Sequence, residues 1–230
     1  MRILSPLTLG VGLLAALPAA ARADGTDILK SQCAACHALT KPADTSLNYI
    51  WERKAPDLYY AGVKFQRDWL VNWLQDPKPI RPAGYPYFKN VVPGPDHDEI
   101  DPAKLTPHPK LDAAAAAAAA DALLALKPEG VVEAGLYKGQ APNLRMGALA
   151  FTKLRGCSAC HRGEGGEGGL SGPELTDAGR RLQPDFIASY IRNPQKIDPH
   201  VWMPVLKMTD QDIQRLTGYL VQLGKEEQKP

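Results

Sequence analysis

Apolar positions recur at three- and four-residue spacing in several separated stretches of the chain, and no stretch alternates with a sustained period of two. This pattern predicts an all-α protein with minimal sheet. The clearest helical stretch is 65–77, where Trp69 and Trp73 stand four apart on one face and the helix stops before Pro77. An offset of 117 positions lays it over 182–194, with Phe186 and Tyr190 four apart and Pro194 at the end. Each of these stretches is followed by a closing helix, Asp112 to Leu126 and Asp210 to Leu223, with an acidic or hydroxyl cap. The run Ala113 to Ala120 reads as helix, since alanine is the best helix former, and Leu123, Leu124 and Leu126 follow it. Opening helices are expected at Thr26 to Gln32 and around Leu144, Leu149, Phe151 and Leu154, which form a broken apolar stripe.

The same order of elements therefore occurs twice, and the chain divides into residues 24–130 and 131–230, a natural division for a length above the usual single-domain size. The 21 prolines and 20 glycines mark long loops between short helices. The first 23 residues read differently. Arg2, the apolar run Leu7 to Leu17 and the small-residue site Ala21-Arg22-Ala23 form a secretory signal, so the mature chain is expected to start at Asp24 in the periplasm. The alternative is an uncleaved anchor, but Pro6, Gly10, Gly12 and Pro18 interrupt the apolar run, which falls short of the ~20 residues of a span. Without Arg2 and Arg22 the formal charge of +2 falls to zero, which gives no support to nucleic-acid binding and leaves local patches to steer partners.

Four cysteines form two pairs, each followed by a histidine: Cys33-Ala34-Ala35-Cys36-His37 and Cys157-Ser158-Ala159-Cys160-His161. C-x-x-C-H is the attachment pattern of c-type haem. Two thiols on one turn each bond a vinyl group of the same macrocycle, while the next residue reaches the iron. A zinc site would space its pairs far closer than the 124 positions from Cys33 to Cys157 and has no use for both histidines. A thioredoxin-like pair needs a βαβ setting, and disulfides closing such short loops would constrain the unfolded chain weakly.

On these residues each half resembles a class I cytochrome c domain, and the chain resembles a diheme c-type cytochrome with two tandem domains. The resemblance implies two haem c groups, with His37 and His161 as proximal iron ligands. It also implies that Pro56 and Pro173, in the loops Ala55-Pro56-Asp57-Leu58 and Gly172-Pro173-Glu174-Leu175, orient those histidines through their carbonyls. In that family the sixth ligand is usually a methionine before a proline, which points to Met203 in Met203-Pro204-Val205-Leu206 rather than to Met146 or Met208. The first half departs from the pattern, because no methionine lies between His37 and its closing helix. His108, in His108-Pro109-Lys110-Leu111, repeats the form of the Met203 segment and is the leading candidate; His97, Tyr85 and a vacant position are the alternatives.

The function expected is electron transfer between haems of unequal potential, since methionine raises the potential relative to a second histidine. The chain would serve as a free carrier or as the cytochrome subunit of a periplasmic dehydrogenase, with that enzyme, a terminal oxidase or another cytochrome as partner. The alternatives are a peroxidase-like or thiosulfate dehydrogenase-like enzyme using an open first haem, and a gas-binding sensor. The cysteine-ligated thiosulfate-oxidising type is disfavoured, because haem attachment consumes all four cysteines. Asp96-His97-Asp98-Glu99 and His200 are expected in solvated loops, Arg180 and Arg181 as exposed helix charges with pairing to haem propionates as the alternative, and Gly163 to Gly169 as a turn without phosphate-loop context.

Overall fold

The structure, a computed structural model, describes residues 24–225; the proposed secretory segment 1–23 lies outside them. The chain opens with α1 (Gly25–Ile28), whose cap Asp24 accepts the Thr26 N–H at 2.8 Å, and α1 runs straight into a π-helical turn, Leu29–Cys33. Then come α2 (Leu47–Glu52), α3 (Ala61–Lys64), α4 (Arg67–Gln75), an antiparallel hairpin of β1 (Val91–Pro93) and β2 (Asp98–Ile100), and α5 (Ala113–Leu124), capped by Asp112. The second half opens in the same way, with α6 (Leu144–Leu149) continuing into a π-helical turn at Ala150–Leu154 just ahead of Cys157. It continues with α7 (Ala178–Arg181), α8 (Pro184–Arg192), α9 (Pro194–Ile197) and α10 (Asp210–Gln222), which Thr209 and Asp212 start with a reciprocal capping box. The result is helix-rich, and the hairpin is the only sheet among the described residues.

In each half the closing helix is the platform on which the opening and middle helices lie: α5 packs on α1 and α4, and α10 on α6 and α8. Small residues set the crossings. A Cβ on Gly25 would sit 2.1 Å from the Ala118 carbonyl oxygen, and one on Gly147 would sit 2.5 Å from Cβ of Tyr219. The alanine run thus forms a close-packed helix whose Ala116, Ala119 and Ala120 are fully buried. One expectation needs correcting. Of the apolar stripe read at the second opening helix only Phe151 is buried, whereas Leu144, Leu149 and Leu154 are exposed, because the packed face runs instead through Gly147, which lies against Tyr219 of α10, and through Ala150 and Phe151.

The two halves meet across an approximate two-fold exchange between residues 117 positions apart. Phe65 and Leu182 form an isolated antiparallel bridge, flanked by Gln66 N–H to Arg181 O (2.9 Å) and Gln183 N–H to Lys64 O (2.9 Å). The Gln66 side chain donates to the carbonyls of Gly179 and Leu182, both at 3.0 Å, and that of Gln183 donates to Gly62 (3.0 Å) and Phe65 (2.8 Å). Lys64 lies 5.7 Å over the Phe186 ring while Arg181 lies 5.7 Å over Trp69. Each glutamine satisfies two carbonyls of the other half that would otherwise be buried without donors. Gln183→Ala should therefore cost about 2 kcal/mol, a fall of about 4–8 °C in melting temperature. Thermal denaturation followed by circular dichroism checks this, and an unchanged melting curve would mean that the halves do not stabilise each other here.

Candidate functional site

The opening helices deliver the two C-x-x-C-H motifs, and local hydrogen bonding winds each motif into a single turn. Cys36 and His37 donate their amides to the Cys33 carbonyl at 3.1 and 3.0 Å, and Cys160 and His161 donate to that of Cys157 at 3.2 and 3.0 Å. None of the four cysteines is paired in a disulfide. Nδ1 of His37 donates to the Pro56 carbonyl at 2.7 Å, and Nδ1 of His161 to the Pro173 carbonyl at 2.8 Å. A carbonyl oxygen only accepts, so Nδ1 carries the proton in both rings and Nε2 presents a bare lone pair. Burial pushes the pKa of both histidines down, outweighing the upward pull of the proline carbonyls, and this favours the neutral imidazole that a metal requires. Gly172 lies tight against this arrangement: a Cβ there would fall 2.6 Å from His161 Nδ1.

Near His37 stands His108. The two ring centroids are 6.2 Å apart, close to the ~6 Å expected when two imidazoles flank one metal ion with bonds of about 2 Å each. His108 is half-buried, its Nδ1 lies 2.9 Å from the Pro109 carbonyl, and the Trp73 ring packs against it at 4.7 Å. The alternatives stand elsewhere. His97 is exposed at the hairpin turn, and the Tyr85 hydroxyl accepts the Arg53 Nε–H. Met203 is half-buried in the loop between α9 and α10, with its carbonyl held by Gln195 Nε2 at 2.6 Å, while Met208 packs against the core.

Cations gather where the halves meet. Arg81 crosses over to donate to the Ser171 carbonyl at 2.7 Å, just ahead of the Gly172-Pro173 loop. Burial pushes the Lys64 amine down to about 7, with Arg181 the next contributor. Arg181 is 2% exposed, which corrects the expectation of a surface charge: its guanidinium is enclosed between Asp177 at 3.0 Å and the Trp69 ring of the other half. Desolvated cations in this number favour nearby anions. The donor set thus fits haem on two counts, with paired thiols and neutral imidazoles for attachment and ligation, and buried cations for the propionate carboxylates.

A second cluster had no motif to announce it. Asp57, Asp198 and His200 are each at most 4% exposed, with Arg53 between the two carboxylates at 3.2 and 3.3 Å. His200 is 1% exposed, so its expected place in a solvated loop is corrected: the chain after α9 turns inward, and the ring stacks on Tyr49 with centroids 4.1 Å apart. The only sequence signal was position, Asp57 directly after Pro56 and His200 shortly before Met203.

No curated protein and no solved structure matches the chain. Residues 144–224 match the family model of cytochrome c, and this segment, which holds the second C-x-x-C-H motif and runs from α6 through α10, is a cytochrome c domain.

Proposed function

We propose that the chain is a periplasmic electron-transfer protein with two covalently bound haem c groups, one in each half, of unequal potential. The observation that carries this reading is the repeated histidine anchor: in each half the histidine after the cysteine pair donates Nδ1–H to a proline carbonyl, at 2.7 and 2.8 Å. The second of these lies within the cytochrome c domain, and the first reproduces it outside that domain. Cys33 and Cys36 hold one haem and Cys157 and Cys160 the other, with His37 and His161 as proximal ligands. His108 is the sixth ligand of the first iron, supported by its position near His37, and Met203 that of the second. When bound, each haem supplies an iron that gains and loses one electron. The chain's own part is to keep both imidazoles neutral and oriented, to surround the propionates with Lys64, Arg81 and Arg181, and to set the potentials apart through His108 and Met203.

Two ligands on each iron leave no open position, which supports a carrier over an enzyme or sensor. The partners proposed are periplasmic redox proteins, a dehydrogenase on the donor side and an oxidase or another cytochrome on the acceptor side. Among the described residues no helix is long and apolar enough to cross a membrane.

Pyridine haemochrome analysis of the purified chain should give two haems per polypeptide, and Cys33→Ser with Cys36→Ser should reduce the count to one; a single haem in the unaltered chain would sink the two-haem reading. His108→Ala should convert one low-spin ferric signal in the electron paramagnetic resonance spectrum to high spin, with the other signal unchanged. Met203→His should lower the potential of one haem toward that of the other, by a fraction of the ~0.8 V that axial ligands span; redox titration measures it, and two unmoved potentials would exclude Met203 as a ligand.

A further inference from the structure

The buried cluster at the junction of the halves takes no part in haem attachment or ligation. We propose that His200, with Asp57, Asp198 and Arg53, forms a proton-binding site that loads when electrons reach the haems, so that electron transfer through this chain carries proton uptake with it. The proposal rests on the two-haem reading and adds a function to it.

The tautomer of His200 is set by its partner. Its Nε2 bonds to the Asp44 carbonyl oxygen, which only accepts, so Nε2 carries a proton. Nδ1 then faces inward, buried, with no hydrogen-bond partner, and lies 3.7 Å from Asp57 Oδ2 and 3.9 Å from Asp198 Oδ1. A neutral ring would aim a lone pair at two anions. A second proton on Nδ1 converts that repulsion into attraction, and a histidine is the side chain suited to gain and lose one near neutral pH.

Charge arithmetic gives the same result. Asp57 and Asp198 contribute two negative charges, and Arg53 offsets one of them, donating Nη1 to both carboxylates at 3.2 and 3.3 Å and Nη2 to Asp198 and to the His200 carbonyl at 3.5 and 3.4 Å. The exposed Asp44 carboxylate also acts electrostatically on His200, and the tyrosines facing the site are engaged hydroxyls. Tyr49 donates to Asp57 at 2.7 Å, Tyr85 accepts from Arg53, and Tyr59 donates to the Ile197 carbonyl. Lys64 lies within electrostatic reach of Asp198. Within the hydrogen-bonded cluster of Arg53, Asp57 and Asp198 one negative charge is left over, and a proton on His200 cancels it. A divalent cation is disfavoured because the guanidinium already fills the space between the carboxylates, and two further positive charges would overshoot neutrality.

The cluster's position couples it to both halves. Asp57 is the residue after Pro56, whose carbonyl holds His37, and it acts electrostatically on that histidine. Asp198 and His200 come from the segment that leads to Met203. A bound haem that gained an electron from a redox partner would lower the local charge by one and would favour a proton from solvent on the Nδ1 lone pair; no bond in the chain is broken. Linkage makes the effect reciprocal, and loading the proton raises the potentials.

The test is a redox titration of each haem in the holoprotein between about pH 5 and 8, alongside proton uptake measured with an indicator dye on reduction in weakly buffered solution. The unaltered chain should show potentials that fall as pH rises, with a tenfold difference in proton affinity between redox states appearing as about 59 mV across the window, and protons should be taken up on reduction. His200→Gln, which keeps an amide donor for the Asp44 carbonyl, should abolish both effects while leaving the haem absorption spectrum intact. Asp57→Asn removes one carboxylate and should move the sloping window to lower pH. Flat potentials in the unaltered chain, or a slope that survives in His200→Gln, would overturn the proposal. A chain with one haem whose potential still slopes through His200 would overturn the two-haem reading and leave the proton site standing.

Discussion

The hydrogen bond from each histidine to a proline carbonyl is the constraint around which each half is arranged. It is short, 2.7 Å in one half and 2.8 Å in the other, and it joins the turn that carries the cysteines to a loop reached 19 residues later in the first half and 12 later in the second. That bond sets the tautomer, aims Nε2 away from the loop and brings the chain back toward its own opening helix. Around it the helices need only supply a platform. In both halves they do so with a closing helix crossed by the opening helix at a glycine, where any side chain would meet backbone or an aromatic ring.

The halves share one apolar core, in which Tyr60 stacks on Phe186, and a polar exchange adds to it. Gln66 and Gln183 each reach across to two carbonyls, and the cations Lys64 and Arg181 each lie over an aromatic ring of the opposite half. The proline loops receive charged residues across the same junction: Arg81 binds Ser171 next to the second loop, and Asp198 pairs with Arg53 near the first. The resulting concentration of desolvated cations and carboxylates at the junction is costly in isolation and intelligible beside groups that carry charge of their own.

Much of this was legible in the sequence, because its signals are local. The periodicity of 65–77 and 182–194 located α4 and α8, which run Arg67–Gln75 and Pro184–Arg192, and the caps at Asp112 and Thr209 bound the closing helices. The cysteine spacing and the histidine after it named the cofactor chemistry, since attachment and ligation use neighbouring residues. The form of His108-Pro109 set that histidine apart from His97, and in the fold it stands near His37.

Only the tertiary structure could decide what depends on residues far apart in the chain. Leu144 and Leu149 face outward because the packed face of α6 runs through Gly147 onto Tyr219, and Arg181 is enclosed because Trp69 comes from the other half. His200 meets Asp57 and Arg53 across roughly 145 positions of sequence, and no spacing rule covers that distance. The sequence by itself determined the opening, middle and closing helices and the paired motifs, all set by short-range periodicity and covalent reach. The fold alone determined which charges are buried together, because burial depends on the summed packing of both halves.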